Sequence, residues 1–307
     1  MISVSTENTT TPDVAVSGNR AVAVWAQRDG DFDHIYASYS TNGGETWSTP
    51  QLIEDNFYRA QKPRVFMSGE KVVAIWEQFN GSVINVYSNF STDGGVTWLA
   101  TASPQRLNTV GSYDAGETSA AMSGDNIVVV WAQLLDGSFN RIYANTSTNA
   151  GVTWGTPVQI SSTTSTIAKS PHVAISGGNA AAVWQQEKDP STEFYLIRAN
   201  ASADAGLTWG TDAAVDNTPS QQSRRPQIAV SDDAVVAVWD TEDASGWTHV
   251  YSNRTAFSGG TVVWTPANAQ LLEDTATDYW DMEAKIAMFG QNVIVVWQRW
   301  DASNHTW

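Results

Sequence analysis

The chain has 307 residues, of which 42% are hydrophobic and 16% are charged, and it contains fifteen tryptophans. This composition supplies enough apolar surface for a packed core and excludes a disordered chain. Thirty-two acidic residues stand against sixteen basic ones, a formal charge of −16, which repels phosphate backbones and excludes nucleic acid as a partner. The sequence has no cysteine, so disulfides, thiolate metal sites and a cysteine nucleophile are excluded as well.

The sequence contains no run of about 18 apolar residues, the length that a membrane span needs. The first eleven residues lack the basic and apolar regions of a signal peptide, so a protein exported by this route would carry its signal outside this sequence. We expect one domain over residues 1–307, either complete or as part of a longer chain.

An internal repeat organises the whole sequence. A β-rich hairpin ending in Val-Trp or Ile-Trp recurs at intervals of 51 to 58 residues, a period typical of propellers and solenoids. The tryptophans that mark it are Trp25, Trp76, Trp131, Trp184, Trp239 and Trp297.

Each repeat predicts four strands in chain order. The first copy opens with two β-rich runs, from Asp13 to Ser17 and up to Trp25, which are joined by a Ser-Gly turn. A third run such as His34–Ser38 follows a polar loop, and a short fourth run such as Gln51–Ile53 follows a Gly-rich turn. Because no helical periodicity occurs, we predict an all-β fold, a six-bladed β-propeller of four-stranded antiparallel blades.

The turn before the fourth strand carries the most specific motif. It reads Ser40-Thr-Asn-Gly-Gly-Glu-Thr-Trp47 in the first repeat, has close copies ending at Trp98, Trp154 and Trp209, and is degenerate in the copy ending at Trp264. This pattern resembles the Asp-box, or BNR repeat, of sialidases, Ser-x-Asp-x-Gly-x-Thr-Trp. The resemblance implies a sialidase-like propeller in which the boxes are structural and lie on the face away from the active site. The box residues are Asn42, Trp47, Asp93, Trp98, Asn149, Trp154, Asp204, Trp209 and Trp264.

The two ends of the sequence complement each other. The last repeat stops within its third strand, near His305, whereas Ile2–Ser5 occupies the place of a fourth strand before the first hairpin. We therefore expect the N-terminal strand to close the last blade, since an open sheet edge invites association. The alternative is strand addition between copies of the chain.

Loops that enter the first strand of each blade and loops after the second strand converge on one end of a propeller. They bring basic, aromatic and acidic groups together there, as a rim that binds a glycan or protein ligand or as a solvated channel mouth. The predicted rim residues are Tyr58, Arg59, Lys62, Arg64, Lys169, His172, Arg224, Arg225, Trp280 and Asp281.

The family resemblance also defines what a sialidase would need: three arginines for the substrate carboxylate, a Tyr nucleophile supported by Glu, and an acid/base residue. The arginine of the family's entry motif falls on Thr10, so the first clamp position is absent. An altered site could use Arg59, Arg64, Arg224, Tyr279 and Glu283.

Two further patterns concern ions and glycans. Asp29, Asp31 and Asp33 alternate in a way that suits Ca²⁺, although an Asp or Asn at the same place in every repeat favours a turn former; the four histidines show no metal-ligand spacing. Seven Asn-x-Ser/Thr sequons favour an exported glycoprotein: Asn8, Asn80, Asn89, Asn145, Asn200, Asn253 and Asn304.

These features lead to one expectation and one alternative. We expect a non-enzymatic extracellular or cell-surface propeller that binds glycan or protein, or assembles into a layer or filament. The alternative is a sialidase-type glycoside hydrolase with an altered active site. Fold alone does not decide between them.

Overall fold

A computed structural model describes residues 9–55, 58–99, 104–108, 113–134, 137–163, 165–191, 194–216, 222–258, 261–273 and 279–301. The predicted strands at Ile2–Ser5 and His305, and the sequons at Asn8 and Asn304, lie outside these residues. The described part of the chain contains no helix long and apolar enough to cross a membrane.

Four sheets each contain four antiparallel strands that pair in sequence order. The first has β1 (Thr9–Ser17), β2 (Arg20–Asp29), β3 (Phe32–Ser40) and β4 (Gln51–Leu52), and the second has β5 (Ala60–Ser68), β6 (Lys71–Phe79), β7 (Ile84–Ser91) and β8 (Gln105–Arg106). The third has β9 (Ala115–Ser123), β10 (Asn126–Leu134), β11 (Asn140–Ser147) and β12 (Val158–Gln159), and the fourth has β13 (Ala168–Ser176), β14 (Asn179–Glu187), β15 (Tyr195–Ser202) and β16 (Ala213–Ala214). The predicted all-β fold of four-stranded antiparallel sheets is confirmed.

The fifth sheet has seven strands. They are β17 (Gln222–Val230), β18 (Ala234–Glu242), β19 (Thr248–Ser258), β20 (Thr261–Val262), β21 (Gln270–Leu271), β22 (Tyr279–Phe289) and β23 (Asn292–Asp301), with a 3-10 turn at Pro266–Asn268. β17, β18, β19 and β21 repeat the four-stranded arrangement. The hairpin β22–β23 joins them through a parallel bridge between Thr248 and Trp280.

The hydrophobic core lies between consecutive sheets. Val22 and Val24 of β2, for example, pack against Ala74 and Trp76 of β6. The repeat tryptophans of the second to fifth sheets are fully buried. Each of their indole N–H groups donates to a side chain two residues further on, as from Trp76 to Gln78 at 2.8 Å. The pairing satisfies the indole donors of these four tryptophans, which burial would otherwise make costly.

The Asp-box turn is built as its sequence predicts. Asp93 Oδ1 accepts the backbone N–H of Thr97 at 2.9 Å and the hydroxyl of Ser91 at 2.8 Å. Gly95 has a φ of +87°, and a Cβ there would lie 2.9 Å from Val22 of the preceding sheet. Glycine is therefore required both by the turn and by the close approach of the two sheets.

A recurrent buried asparagine joins neighbouring sheets. Asn145 Nδ2 donates to the carbonyl of Leu107 at 3.0 Å, and its Oδ1 accepts the N–H of Thr146 at 2.8 Å. Three equivalent residues make the same contacts to the preceding sheet: Asn89, Asn200 and Asn253. All four side chains are buried, and Nδ2 is the atom to which a glycan would be attached. Burial and the hydrogen bond of this atom argue against a glycan at these four predicted sequons in the folded chain.

Apolar side chains are exposed at both ends of the sheet series. Val14 and Val16 of β1 are 57% and 62% exposed, and Ile294 and Val296 of β23 are 68% and 58% exposed. The residues at the equivalent positions of the intervening sheets form the inter-sheet core, where Val65 is 4% exposed. The first and last units thus present the two faces that pack together everywhere else in the chain.

Candidate active site

One cavity of about 480 Å³ is lined by residues from β1, β5, β9, β13, β17 and β22. We call these six strands the inner strands and this cavity the channel. One residue from each inner strand, twelve positions before the repeat tryptophan, lines it. These six residues are Asp13, Arg64, Ser119, His172, Gln227 and Lys285.

Each inner strand carries a β-bulge shortly before its channel residue. At every bulge one residue that is not glycine has a φ between 48° and 58°: Thr11, Lys62, Glu117, Ser170, Arg225 and Glu283. Such a conformation costs about 1 kcal/mol or more. Bulges of this kind are frequent beside active sites, because they redirect side chains.

Two bulge side chains pair with buried carboxylates on the second strand of their own sheet. Lys62 Nζ lies 3.0 Å from Glu77 Oε2, and Arg225 Nε lies 2.5 Å from Asp240 Oδ2. The two carboxylates also bind the backbone of the next bulge, since Glu77 accepts the N–H of Thr118 at 3.2 Å and Asp240 accepts that of Glu283 at 3.1 Å. Each carboxylate therefore holds two bulges in place.

The carboxyl of Asp240 is perturbed by its surroundings. Burial raises the pKa of its carboxyl above the usual range, while Arg225 and the N–H donors of the next bulge act in the opposite direction. Its second oxygen, Oδ1, is buried and has no hydrogen-bond partner among the described residues.

A pocket of about 420 Å³ lies between β13, β17 and β22. Its lining includes Ser170, Arg225, Glu283 and Lys285. Glu283 Oε2 accepts from Gln298 Nε2 at 3.0 Å, and Glu117 Oε2 accepts the backbone N–H of Ser170 at 2.5 Å. Two exposed carboxylates are thus associated with this pocket, which we call the mouth pocket, since Glu283 lines it and Glu117 binds Ser170 of its lining. Arg225 lines it as well.

His172 lies in the channel near two cations. Burial first, and then the charges of Lys285 and Arg64, lower the pKa of its imidazole from 6.5 to about 4. The ring is therefore neutral at neutral pH. Its Nδ1 is buried and has no hydrogen-bond partner in the part of the chain that the structure describes.

An aromatic pair lies beside β22. The rings of Trp247 and Trp280 are 5.0 Å apart, and Trp280, which donates to the Gly246 carbonyl at 3.1 Å, remains 37% exposed. Trp300 is paired with Trp280 across β22 and β23 and is also exposed. Exposed tryptophan faces are suited to apolar contact with sugar rings.

The predicted rim residues fall into distinct environments. Arg64 and His172 line the channel, and Arg225 lines the mouth pocket. Lys169 Nζ lies 3.8 Å above the ring of Tyr195, and Tyr58 packs edge-on against Phe79. Asp281 was expected at the rim, but it is fully buried and accepts from two guanidinium nitrogens of Arg299, Nε and NH2, each at 2.8 Å.

The residues considered for an altered sialidase site do not form one group. Arg64 lines the channel, whereas Arg224 NH2 lies 2.7 Å from Glu242 Oε2 and is held beside its own sheet. The described contacts of Arg59 are made by its backbone carbonyl, and the side chain of Tyr279 lies outside the described residues. Of these residues, Glu283 lines the mouth pocket.

The loop considered for calcium contains an internal bond. The Tyr36 hydroxyl donates to Asp29 Oδ2 at 2.6 Å. At the equivalent place in other repeats, Asn80 and Asp243 each accept two backbone N–H groups of their own turn, which is the geometry of a turn former. No group of three His, Asp or Glu side chains suited to a metal ion occurs among the residues described.

No family model matches the sequence, and a search of curated proteins gave no match. Solved structures do resemble the fold. The GH93 α-L-arabinofuranosidase of Fusarium graminearum, in complex with arabinobiose, has a TM-score of 0.53 at 12% identity, covering 84% of this chain and 81% of that chain. The Penicillium chrysogenum α-L-arabinanase, also with arabinobiose, has a TM-score of 0.51 at 13% identity and the same coverage. A protein of unknown function from Dyadobacter fermentans has a TM-score of 0.51 at 14% identity, covering 84% of this chain and 83% of that chain.

The comparisons define a class, a β-propeller with the fold of glycoside hydrolases. The characterised neighbours are an arabinofuranosidase and an arabinanase, so the likeness shown is to the propeller fold of glycosidases, and the finer assignment to sialidases is not shown. The expectation of a non-enzymatic binding or self-assembling module is contradicted by these neighbours, which are enzymes.

Proposed function

We propose that the chain is a glycoside hydrolase that binds its glycan at the mouth pocket. Hydrolysis of a glycosidic bond by the common mechanisms uses two carboxyl groups that flank the bond. We propose Glu117 and Glu283 as this pair, because Glu283 lines the pocket and Glu117 accepts from Ser170, which lines it as well. The association of these two bulge carboxylates with one pocket is the observation that carries the proposal.

The supporting residues fit the same function. Arg225 lines the same pocket and is paired with Asp240, so its charge is held in a fixed position. Preorganised charge of this kind stabilises charge that develops in a transition state. The Trp247–Trp280 pair offers an apolar face for a sugar ring. Since the enzymes of similar fold were solved with arabinobiose, arabinofuranosides are the first substrates to test.

Product analysis with a small substrate panel tests this proposal. An aryl α-L-arabinofuranoside, arabinan and an aryl sialoside are each incubated with the wild-type chain. We expect release of sugar from at least one of them, and loss of that release in Glu283→Gln. Release from the sialoside alone would assign the sialidase-type alternative, while no release from any member of a wider glycoside panel would contradict a hydrolase.

We further propose that the propeller has six blades, with β22–β23 as the inner half of the sixth. The six inner strands around one channel support this count. The exposed apolar faces at Val14 and Val16 and at Ile294 and Val296 support closure of the ring between the last and first units. We propose Ile2–Ser5 as the closing strand, and a copy of the chain as the alternative source of that strand.

We also propose an extracellular or cell-surface location for the protein. The support is the sequon at Asn80, whose side chain is exposed in a turn. The intact mass of protein from its native source tests this. A mass equal to that of the bare polypeptide would contradict glycosylation at Asn80.

A further inference from the structure

The channel holds two cations that lack an acidic partner. Arg64 and Lys285 both line it, and neither makes an ion pair with any described residue. Elsewhere the described basic side chains are commonly paired, as Lys62 is with Glu77 and Arg198 with Asp212. In a chain with a formal charge of −16, acidic partners are plentiful, so two unpaired cations in one cavity are a specific feature of the channel.

The remaining channel residues do not neutralise this charge fully. Asp13 also lines the cavity, and its Oδ2 accepts the backbone N–H of Val65 at 3.0 Å. With His172 neutral, the charges of Asp13, Arg64 and Lys285 leave the channel ring with a net positive charge. Both cations act on the same part of the channel, since both lower the pKa of His172. An anion bound between Arg64 and Lys285 would offset their mutual repulsion.

His172 adds an independent observation. Its Nδ1 is a buried polar atom with no hydrogen-bond partner in the described part of the chain. Buried polar atoms almost always have partners, and an exception indicates a ligand, an ion or a water molecule. Ser119 and Gln227 stand at the equivalent positions of two other inner strands and offer further neutral donors to the same cavity.

We propose that Arg64, His172 and Lys285 form a binding site for an oxyanion of the carboxylate or phosphate type in the channel. Guanidinium and ammonium groups bind both kinds of oxyanion through charge-assisted hydrogen bonds. Lys285 and Gln227 line the mouth pocket as well as the channel, so the anion sits next to the site proposed for glycan hydrolysis. The anion is either the carboxylate of an acidic sugar or a free inorganic anion. The first assignment rests on the proposed function, and the second does not.

Nuclear magnetic resonance of the His172 imidazole provides the test. The wild-type chain is titrated at constant ionic strength with inorganic phosphate, with galacturonate, and with galactose as the neutral control. The His172 signal is assigned with a His172→Gln variant. A bound anion offsets the charges of Arg64 and Lys285, so we expect the pKa of His172 to rise with phosphate or galacturonate and to stay unchanged with galactose.

Variants locate the site. Arg64→Gln and Lys285→Gln should each weaken anion binding about tenfold or more, whereas Lys71→Gln, which removes a cation of an exposed ion pair at the opposite end, should have no effect. Asp13→Asn should strengthen binding, because it removes the opposing carboxylate while an amide oxygen remains to accept from Val65.

The site is supported if phosphate, galacturonate or both bind to the wild type and this binding is lost in the Arg64 and Lys285 variants. Binding of galacturonate alone assigns the site to an acidic sugar, and binding of phosphate alone assigns it to a free inorganic anion. An unchanged His172 titration in the wild-type chain, or binding that survives both variants, overturns it. These readouts are independent of catalysis, so glycan hydrolysis without anion binding would refute this inference and leave the hydrolase proposal standing.

Discussion

The backbone N–H of Glu283 donates to Oδ2 of Asp240 at 3.1 Å. Asp240 belongs to β18 of the fifth sheet and Glu283 to the bulge of β22, so a buried carboxylate of one unit fixes the proposed catalytic carboxylate of the next. The same oxygen accepts from Arg225, so the two polar groups of the mouth pocket share one anchor.

We predict that Asp240→Asn lowers catalytic activity without lowering stability at neutral pH. An Asn Oδ1 can still accept from Glu283 and Arg225, and its Nδ2 would occupy the place of the unpartnered Oδ1. The loss of charge loosens Arg225, and we expect kcat to fall about tenfold or more, the order of one weakened charge-assisted contact. Steady-state kinetics and melting temperatures measure the two effects, with Glu242→Gln as the control because Glu242 pairs with Arg224.

The raised pKa of Asp240 predicts how the stability difference between the wild type and Asp240→Asn depends on pH. A carboxyl whose pKa is raised on folding contributes stability below its unfolded pKa, and the contribution is lost as the pH rises through the folded value. Compared with Asp240→Asn, the wild type should therefore lose stability as the pH rises through that range. Melting curves between pH 3.5 and 8 check this, and a wild type that gains stability over the variant as pH rises would refute it.

We predict that His172 makes the protein less stable as the pH falls from 6.5 to about 4. Its pKa is lowered on folding, so its contribution is fully present above the unfolded pKa and is lost as the pH drops towards the folded one. The effect is at most about 3 kcal/mol, at 1.36 kcal/mol per unit. The free energy of unfolding, measured by chemical denaturation at several pH values in this range, should change less steeply with pH for His172→Gln than for the wild type. Equal slopes would show that the imidazole is not buried beside the two cations.

We predict that Asn145→Ala lowers the free energy of unfolding by about 1–3 kcal/mol. The substitution leaves the carbonyl of Leu107 and the N–H of Thr146 without their partner inside the core. Asn126→Ala is the matched control, because its Nδ2 lies 3.5 Å from the Gly177 carbonyl in an exposed position. Equal losses for the two variants in urea unfolding would contradict a joining role for the buried asparagine.

We predict that Trp280→Ala raises KM about tenfold and also lowers the melting temperature. The exposed indole face is lost to the glycan, and the larger, buried part of the side chain, which is 37% exposed and stacked on Trp247, is lost from the fold. Phe289→Ala serves as the control, since Phe289 is 88% exposed in the turn at the other end of β22. A loss of kcat with unchanged KM would place Trp280 outside the glycan contact.

We predict that deleting residues 1–6 lowers the melting temperature of a monomer by several degrees, or prevents association if copies exchange strands. Under the closure proposed above, this segment would cover an open edge beside the exposed residues Ile294 and Val296. Melting and sedimentation measure the two cases. A truncated chain of unchanged stability and size would exclude this segment from closure.

The repeat made most of the fold predictable, because strand alternation, turn glycines and box tryptophans are local features. The inner strands were placed from Asp13, whereas β1 begins at Thr9, since a bulge lets pairing continue past Pro12. A bulge shifts the register between strands and leaves little trace in the sequence beyond the proline that follows it in four repeats.

The site was less predictable, because its contacts join residues far apart in the sequence. Asp240 binds a residue 43 positions away and Asn145 one 38 positions away. The recurrent asparagine was read as a sequon because the Asp-box supplies Ser two positions later. Its true role depends on a carbonyl of the preceding sheet, which no local pattern reveals. Glu283, Arg225 and Glu117 belong to the loops that the sequence places at the channel end, whereas Glu77 and Asp240 lie on second strands, where no sequence pattern singles them out.

Comparing kcat/KM for Glu117→Gln, Glu283→Gln and Glu45→Gln on the best substrate of the panel tests the central claim most directly. Glu45 is an exposed carboxylate in an Asp-box turn at the far end of the sheets. We predict that the first two variants lose activity at least about a hundredfold, because each removes a proton donor or a nucleophile, and that Glu45→Gln retains it. Full activity in both Glu117→Gln and Glu283→Gln would show that the reaction does not take place at the mouth pocket.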